Sequence, residues 1–339
     1  MHIPDGYLSP ETCGVMGAAM VPAWMTAGRR VRRVVTSRYV PLLALGAAYS
    51  FLVMMFNVPI PDGTTAHAVG AVLIAILLGP WAAVVAVSCA LGIQALFFGD
   101  GGVLAFGANC FNMALVMPMA GYAVYKIGTR NLSLTAPRRA VVAGIAGYVG
   151  INAAALCAAT EIGIQPSLFH TANGTPLYSP FHLSQSIPAM ALAHLTVAGA
   201  VELVLTAGVI AYLQRANLPV LRINHPGVRE DDATSAAPRR LGWRWGAATL
   251  GVAALLTPLG LLASGHAFGE GPTKAGFWHH ALFRGYDFSN DKHPALGYIA
   301  SAFVGLAAIA IVAFAVLGFV GRAQRRRSRS DSALGSVSA

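Results

Sequence analysis

The chain has 339 residues, of which 56% are apolar and 11% carry a charged side chain, and its formal net charge is +10. An ordinary soluble domain contains about 25% charged residues, so this composition excludes a soluble enzyme and indicates a membrane protein. The basic residues lie in short clusters between apolar segments, a pattern that bilayer topology explains better than nucleic-acid binding does.

Nine apolar segments follow one another along the chain, most of them close to the roughly 20 residues that a helix needs to cross a bilayer. Turn-forming sequences such as Pro59-Ile60-Pro61-Asp62-Gly63 and Gly99-Asp100-Gly101-Gly102 separate them. We therefore predict an all-α, polytopic membrane bundle of about nine transmembrane helices. The segments cover residues 11–28, 38–56, 64–78, 81–98, 103–126, 140–160, 184–213, 246–264 and 295–320.

The basic residues also predict an orientation, because loops rich in Lys and Arg stay in the cytoplasm. Of the 23 Lys and Arg residues, all but Lys274, Arg284 and Lys292 fall in alternate loops or in the C-terminal tail. This distribution predicts a multi-pass protein of the cell membrane whose C-terminus is inside and whose N-terminus is outside.

A polar stretch rich in Glu, Asp and Ser divides the chain into two parts. We predict a seven-helix membrane component over residues 1–215 and a cytoplasmic linker over 216–240. A two-helix part over 241–322 and a basic, disordered cytoplasmic tail over 323–339 follow.

The first two residues carry a specific chemical signal. No Lys or Arg occurs between Met1 and Ala27, unlike in a secretory signal peptide, so we expect this segment not to be cleaved. The large His2 should also protect Met1 from methionine aminopeptidase. After deformylation, the free amine, the backbone nitrogen of residue 2 and the imidazole of His2 can close two fused chelate rings. They form three corners of a square, a geometry that suits Ni(II) or Cu(II).

A further nitrogen is available from His67, which follows Gly63-Thr64-Thr65-Ala66 on the same predicted outer side. Only 12 residues separate His67 from the break at Gly79-Pro80. A helix of that length spans about 18 Å, against an ~30 Å hydrocarbon core. We therefore expect His67 in a recessed pocket bordered by irregular backbone. A helix that reached back to Gly63 would weaken this prediction.

Other polar residues are candidates for supporting or gating roles around a histidine ligand. Glu202 lies within the seventh span, eight residues after His194, and Asn109 and Asn112 are three apart on one helical face. Hydrogen bonding between helices is the alternative role for such residues. The full set is Thr65, Gln94, Asp100, Asn109, Asn112, His194 and Glu202, and no catalytic residue is predicted.

Three motifs together resemble a known family: the start Met1-His2-Ile3-Pro4-Asp5-Gly6-Tyr7-Leu8, the loop ending at His67, and residues 92–102 with 107–113. They are similar to the metal-specific membrane component, or S component, of nickel and cobalt energy-coupling-factor transporters (the CbiM/NikM family). The resemblance covers about residues 1–213. Residues 240–322 resemble, more loosely, the two-helix NikN/CbiN auxiliary component fused to its C-terminus.

The resemblance implies a ligand set and partners. Ni(II) or Co(II) would be held in a square plane by the amine of Met1, the backbone nitrogen and imidazole of His2, and the imidazole of His67. The partners would be a transmembrane coupling (T) subunit and ABC ATPases. This chain has no nucleotide-binding loop of the form G-x-x-x-x-G-K-[ST], so we expect a transporter subunit without enzyme activity or intrinsic cofactor.

Two alternatives stay open. A membrane zinc enzyme or metal sensor would need three or four histidine or carboxylate ligands. The best candidates for them are the outer-loop histidines His266, His279, His280 and His293. A secondary transporter that acts alone is the other alternative, although no internal repeat of the kind common in such folds is evident.

Overall fold

The computed structural model describes residues 1–34, 39–56, 58–60, 64–228, 243–262, 278, 280–286 and 293–335. These residues are mostly helical, as the apolar segments predict. Four helices among them are long and apolar enough to cross a membrane, namely Pro80–Phe98, Pro137–Leu168, Leu183–Ala216 and Pro294–Gly318. The count of nine crossings and their orientation stay predictions.

The N-terminal half contains six helices and two short strands. In chain order they are α1 (Pro10–Val34), α2 (Tyr39–Met55), β1 (Val58–Ile60), β2 (Thr64–Ala66), α3 (Ala71–Leu78), α4 (Pro80–Ile93), α5 (Phe106–Asn109) and α6 (Met117–Gly128). π-Helical turns extend α4 over Gln94–Phe98 and connect α5 to α6 over Cys110–Val116.

The second half contains the longest helices. They are α7 (Pro137–Gly163), α8 (Gln165–Leu168), α9 (Leu183–Ala193), α10 (Gly199–Ala216), α11 (Leu218–Arg222), α12 (Trp243–Leu256) and α13 (Pro294–Gly335). A π-helical turn over His194–Ala198 joins α9 to α10, and 3-10 turns cover Thr257–Leu262 and Arg284–Tyr286. Helix α7 lies at the centre of this half and packs against α6, α9 and α10.

The strands are an addition to the all-α prediction. β1 and β2 form an antiparallel pair in which Val58 lies opposite Ala66 and Pro59 lies opposite Thr65. Val, Ile and Thr favour extended backbone because their branched side chains fit a pleated strand better than a helix. The third apolar segment, predicted as helical over 64–78, therefore begins as a strand.

Helix α3 is consequently short. It begins at Ala71 and ends at Leu78, eight residues that rise about 12 Å at 1.5 Å per residue. His67 lies in the non-helical segment 67–70 between β2 and α3, and its side chain is buried. The structure thus gives the irregular backbone before a short helix on which the prediction of a recessed pocket depended.

The C-terminal helices pack against the first half of the chain. Helix α13 contacts α2 closely, and a side chain at Gly305 would clash with the ring of Phe51. Helix α13 continues to Gly335. The division of the chain into a membrane component, a linker, a two-helix part and a basic tail stays a prediction.

Residues 216–228 of the predicted linker 216–240 belong to the described part of the chain. Helix α11 follows α10 after Asn217, and the Asn224 side chain donates hydrogen bonds to the carbonyls of Ala75 (3.2 Å) and Ile76 (3.1 Å) in α3. The Ala75 carbonyl also accepts from the N–H of Gly79 (2.9 Å), so Asn224 adds a second donor there and supplies one to Ile76 in the last turn of α3. Residues 229–242 of the linker lie outside the described residues.

Candidate metal centre

The first nine residues run through the interior before α1 begins, and the side chains of Met1, His2 and Ile3 are all buried. Asn109 at the end of α5 holds the backbone of Ile3 from both sides. Its Oδ1 accepts from the Ile3 N–H (2.8 Å), and its Nδ2 donates to the Ile3 carbonyl (3.0 Å). The N–H of Gly102 donates to the same carbonyl (2.9 Å). An amide side chain thus substitutes for a neighbouring strand and fixes the backbone beside His2.

Asp5 provides a second anchor for the N-terminal segment. Its carboxylate accepts hydrogen bonds from the backbone N–H groups of Val103 (3.2 Å), Leu104 (2.9 Å) and Ala105 (3.2 Å), directly before α5. Exposed N–H groups at the start of a helix attract negative charge. Gly102 makes the approach feasible, because a Cβ at that position would clash with the Asp5 carboxylate.

Three nitrogens meet where this segment passes the loop before α3. His67 Nε2 lies 3.3 Å from the amine of Met1 and 3.1 Å from Nδ1 of His2. The imidazole rings of His2 and His67 are 4.8 Å apart between centroids. The structure therefore brings together Met1, His2 and His67, the three residues predicted as metal ligands.

The position of one proton on His67 follows from its neighbours. Nδ1 lies 3.0 Å from the carbonyl of Ala68, and a carbonyl can only accept a hydrogen bond, so Nδ1 carries the proton and donates. In the neutral ring, Nε2 then has a free lone pair that points at Met1 and His2. Hydrogen bonds of this kind to backbone carbonyls are what orients a histidine ligand in known metal sites.

Glu202 in α10 fixes the loop that carries His67. Its Oε2 accepts from the backbone N–H groups of Val69 (2.9 Å) and Gly70 (3.0 Å), just before α3. Ser50 donates to the Val69 carbonyl (2.8 Å), which holds the same peptide from the other side. Glu202 is fully buried and acts on the site through the backbone of the His67 loop.

Polar contacts through Gln94, Tyr286 and Asp100 start at one ring nitrogen of His2 and return to the other. Its Nε2 lies 3.2 Å from Gln94 Oε1, and Gln94 Nε2 donates to the hydroxyl of Tyr286 (2.9 Å). The Tyr286 hydroxyl donates to Asp100 Oδ2 (2.5 Å), and Asp100 Oδ1 lies 3.5 Å from His2 Nδ1. Asp100 thus places a negative charge beside the cluster of nitrogens.

Burial lowers the proton affinity of all three nitrogen groups. The pKa of the Met1 amine falls to about 6 because of burial, against the opposing charge of Asp100. Burial also lowers the pKa of His2, and it lowers that of His67 well below the usual value, helped by the nearby Met1 amine and His2. Burial and the charge of Asp100 raise the pKa of Tyr286 well above its ordinary value. At neutral pH the nitrogens keep their lone pairs and Tyr286 keeps its proton.

The remaining predicted residues lie in several places. Asn112 does not join Asn109 at the N-terminal segment, and its Nδ2 donates to Glu161 Oε2 in α7 (2.9 Å). Asn109 ends α5, whereas Asn112 lies within the following π-helical turn, whose wider spacing per turn directs the two side chains to different neighbours. His194 donates from Nδ1 to the Met190 carbonyl (2.8 Å), and its buried Nε2 has no hydrogen-bond partner among the described residues. Thr65 belongs to β2, and its side chain lies outside the described part.

The histidines of the zinc alternative are only partly visible. His266 and His279 lie outside the described residues, whereas His280 and His293 are exposed. Within the described ranges, no group of three or more His, Cys, Asp or Glu side chains gathers in a way that could hold a metal ion. The amine of Met1 is not a side chain, so the cluster at the N-terminus is of a different kind.

Tyr286, Glu161 and Asp5 were not predicted from the sequence. Tyr286 is one of several aromatic residues in a C-terminal segment, 192 positions from Gln94, and no local pattern connects the two. Glu161 closes the predicted sixth span, where an acidic side chain within apolar sequence was a usable signal. Gly101-Gly102 followed by a helix was the corresponding signal for Asp5.

Comparison with known proteins gives a consistent group of relatives. Residues 2–219 match the family model CbiM, described as the cobalt uptake substrate-specific transmembrane region. The fused nickel transport protein NikMN of Rhodobacter capsulatus is 55% identical over 270 residues, which cover 80% of this chain and 75% of the relative. The probable fused nickel transport protein LarMN of Lactiplantibacillus plantarum is 48% identical over 276 residues, covering 80% and 77%.

Two crystal structures are also similar. One, of a transition metal transporter, is 58% identical with a TM-score of 0.60 and covers 63% of this chain and 92% of that one. The other, of a truncated transition metal transporter, is 57% identical with a TM-score of 0.59 and covers 63% and 98%.

Proposed function

This chain belongs to the CbiM family, the cobalt uptake substrate-specific transmembrane region, and from that premise we propose that it captures Ni(II) or Co(II) for import. The ligands are the amine of Met1, the backbone nitrogen and Nδ1 of His2, and Nε2 of His67. The relatives named above are nickel transport proteins, which supports a transition-metal cargo.

The observation that carries the proposal is the position of His67 Nε2 between the two ends of the Met1-His2 chelate. In a square plane formed by a Met-His terminus, the amine and Nδ1 of His2 are opposite each other, and a fourth ligand is adjacent to both. His67 Nε2 lies 3.3 Å from the amine and 3.1 Å from Nδ1. Metal–nitrogen bonds of about 2.0–2.1 Å at right angles separate adjacent ligands by about 2.9 Å, so these spacings fit a shared ion after small shifts.

The charges of the site also fit a divalent cation. A deprotonated backbone nitrogen and the carboxylate of Asp100 together supply two negative charges, which balance the ion in a buried environment where unpaired charge is costly. Square-planar nitrogen ligands favour nickel or copper over cobalt. None of the four ligands is a carboxylate, a thiolate or a water. The ligand set therefore selects among metal ions by its square-planar geometry and its nitrogen donors.

We propose a transport cycle in which the ion enters from the extracytoplasmic face, is enclosed beneath the N-terminal segment and the His67 loop, and leaves inward. A T subunit and ABC ATPases supply the energy, since the chain has no nucleotide-binding loop of the kind above. The proposed topology has about nine crossings of the cell membrane. The basic loops lie inside and the N-terminus lies outside.

Metal binding by the purified chain tests the ligand set. We compare wild type with His67→Ala, with His2→Gln, which removes the imidazole but keeps a large second residue that protects Met1, and with His170→Ala, which changes an exposed histidine. Nickel or cobalt should bind with one ion per chain, be lost in the first two variants and be kept in the third. Full binding by His2→Gln or by His67→Ala would contradict the proposal, and dependence on His280 and His293 would favour the zinc alternative.

A further inference from the structure

Tyr286 lies outside residues 2–219 that match the family model, yet it is buried against the candidate metal centre. Its hydroxyl accepts from Gln94 Nε2 at 2.9 Å and donates to Asp100 Oδ2 at 2.5 Å. Its ring lies 5.0 Å from that of Phe98 and 5.3 Å from that of Tyr298, between centroids. A residue of the C-terminal part therefore contacts both polar side chains that border His2.

The direction of each hydrogen bond in this chain follows from the acceptor at its end. The Asp100 carboxylate only accepts, so the Tyr286 hydroxyl donates to it. The hydroxyl oxygen then accepts from the amide nitrogen of Gln94, which leaves the amide oxygen of Gln94 facing His2. That oxygen also only accepts, and it lies 3.2 Å from Nε2, within hydrogen-bond range, whereas Asp100 Oδ1 lies 3.5 Å from Nδ1, beyond the usual N–H···O distance. The shorter bond places the proton of the neutral His2 imidazole on Nε2 and the lone pair on Nδ1.

We propose that Tyr286 is a positioning residue for metal capture, which orients the amide of Gln94 and thereby holds His2 in the tautomer whose Nδ1 can bind the ion. This inference rests on the proposed function, because metal binding is what requires the lone pair on His2 Nδ1. The two ends of a glutamine amide have nearly the same shape, so packing alone does not choose between them. Without the hydroxyl, the amide nitrogen can face His2 and move the imidazole proton to Nδ1, where it blocks the chelate.

The backbone conformation at Tyr286 and the hydrogen bonds around it fix the position of its side chain. Tyr286 has φ 64°, a left-handed conformation that is uncommon for a bulky residue. Ser301 of α13 donates to its carbonyl (3.2 Å), and the N–H of Phe283 donates to the carbonyl of Phe97 (3.0 Å). Unfavourable backbone geometry persists where surrounding contacts hold it, and here they hold the hydroxyl against Gln94 and Asp100.

The first test is Tyr286→Phe, which keeps the ring and removes the hydroxyl. We expect nickel affinity to fall about tenfold, at the lower edge of the 10–100-fold range for lost outer partners of a metal ligand. In the metal-free protein, ¹⁵N NMR of labelled histidine should show His2 losing its Nε2–H tautomer. Tyr39→Phe is the matched control. It also removes a hydrogen-bonded hydroxyl (2.6 Å to the Leu78 carbonyl), but that hydroxyl lies at the end of α3 that is farther from His67.

The second test separates positioning from packing. In a Gln94→Glu background both ends of the side chain are acceptors, so the orientation no longer needs the hydroxyl. There, Tyr286→Phe should change nickel affinity by less than about twofold, a non-additive result that coupled residues give. An equal loss in both backgrounds, or an unchanged His2 tautomer in Tyr286→Phe, would overturn the inference. Absence of nickel binding by wild type would instead refute the proposed function. The NMR measurement uses metal-free protein, so it tests the role of Tyr286 independently of nickel binding.

Discussion

At one end of the helical body, buried nitrogens of Met1, His2 and His67 face one another, whereas near the first turn of α7 the buried guanidinium of Arg139 faces only acceptors. Arg139 donates to the carbonyls of Ser133, Leu132 and Thr129 and to the hydroxyl of Tyr125. Both regions bury nitrogen groups in an apolar bundle. The difference lies in what the neighbouring atoms offer to those groups.

Arg139 is satisfied by the protein itself, as buried polar groups usually are. At the N-terminal cluster, His2 Nδ1 and His67 Nε2 lie 3.1 Å apart, and in the tautomers assigned above neither carries the proton that a hydrogen bond between them would need. The Met1 amine can donate to His67 Nε2 (3.3 Å), but among the described residues no N–H or O–H group donates to His2 Nδ1, whereas one bound cation would accept electron pairs from all three nitrogens. A buried network that lacks a positive charge indicates a ligand, whereas a complete one indicates structure, and four predictions test this contrast.

The largest expected effect concerns stability at the Arg139 end. Arg139→Met removes all four hydrogen bonds, and although the carbonyls of Thr129 and Ser133 keep a backbone N–H donor, the Leu132 carbonyl and the Tyr125 hydroxyl lose their donor. The free energy of unfolding should therefore fall by about 3 kcal/mol. Thermal unfolding in detergent measures this, with the exposed neighbour Arg138→Met as control. Nickel affinity of the folded Arg139→Met protein should stay unchanged. If Arg139→Met lost nickel affinity but kept its stability, Arg139 would serve metal binding and the contrast with the N-terminal cluster would be wrong.

The next effect concerns the loop that carries His67. Glu202→Ala leaves the N–H groups of Val69 and Gly70 without an acceptor, and His67 loses its fixed position. We expect nickel affinity to fall about 30- to 100-fold, as for other losses of support around a metal ligand. Glu202→Gln keeps one carbonyl oxygen for both N–H groups and should lose far less. Equal losses in the two variants would mean that charge, not loop position, is what Glu202 contributes.

The third effect is the pH dependence of nickel binding. Burial lowers the pKa of the Met1 amine to about 6, so above that pH the amine is neutral and binding releases only the backbone proton of His2. Affinity should rise about tenfold per pH unit there and more steeply below pH 6, because metal and protons compete for the ligands. Isothermal titration from pH 5 to 8 measures the slope. A slope steeper than that already near pH 8 would mean that the amine still carries its proton at that pH and is not held in a buried site.

The smallest effect concerns the Asp5 anchor. Asp5→Ala removes an acceptor at the start of α5, which costs about 1 kcal/mol in comparable caps. Nickel affinity should fall about fivefold, since the Asn109 contacts still hold Ile3. Glu11→Ala, an exposed acidic residue in the first turn of α1, is the control. An Asp5→Ala loss as large as that of Glu202→Ala would show that Asp5 positions the chelate directly.

The sequence was informative where chemistry is local. The Met1-His2 start identifies a chelate from two adjacent residues, and the short distance from His67 to Gly79-Pro80 predicted a recessed histidine. The roles of Asn109, Asn112 and Tyr286 could not be read in this way. A π-helical turn separates the partners of the two asparagines, and Tyr286 reaches Gln94 through folding of segments far apart in the chain. Spacing in sequence does not determine such contacts.

The long separation between Gln94 and Tyr286 also has a consequence for synthesis of the protein. At roughly 5–20 residues per second, a ribosome needs about 10–40 s to advance from one to the other. His2, Asn109 and the His67 loop can already have met while Tyr286 is still to be made. A nascent chain in the membrane would thus pass through a stage with its ligands assembled but the Gln94 amide free to turn. Full affinity for the ion would therefore be reached only after Tyr286 has been added to the chain.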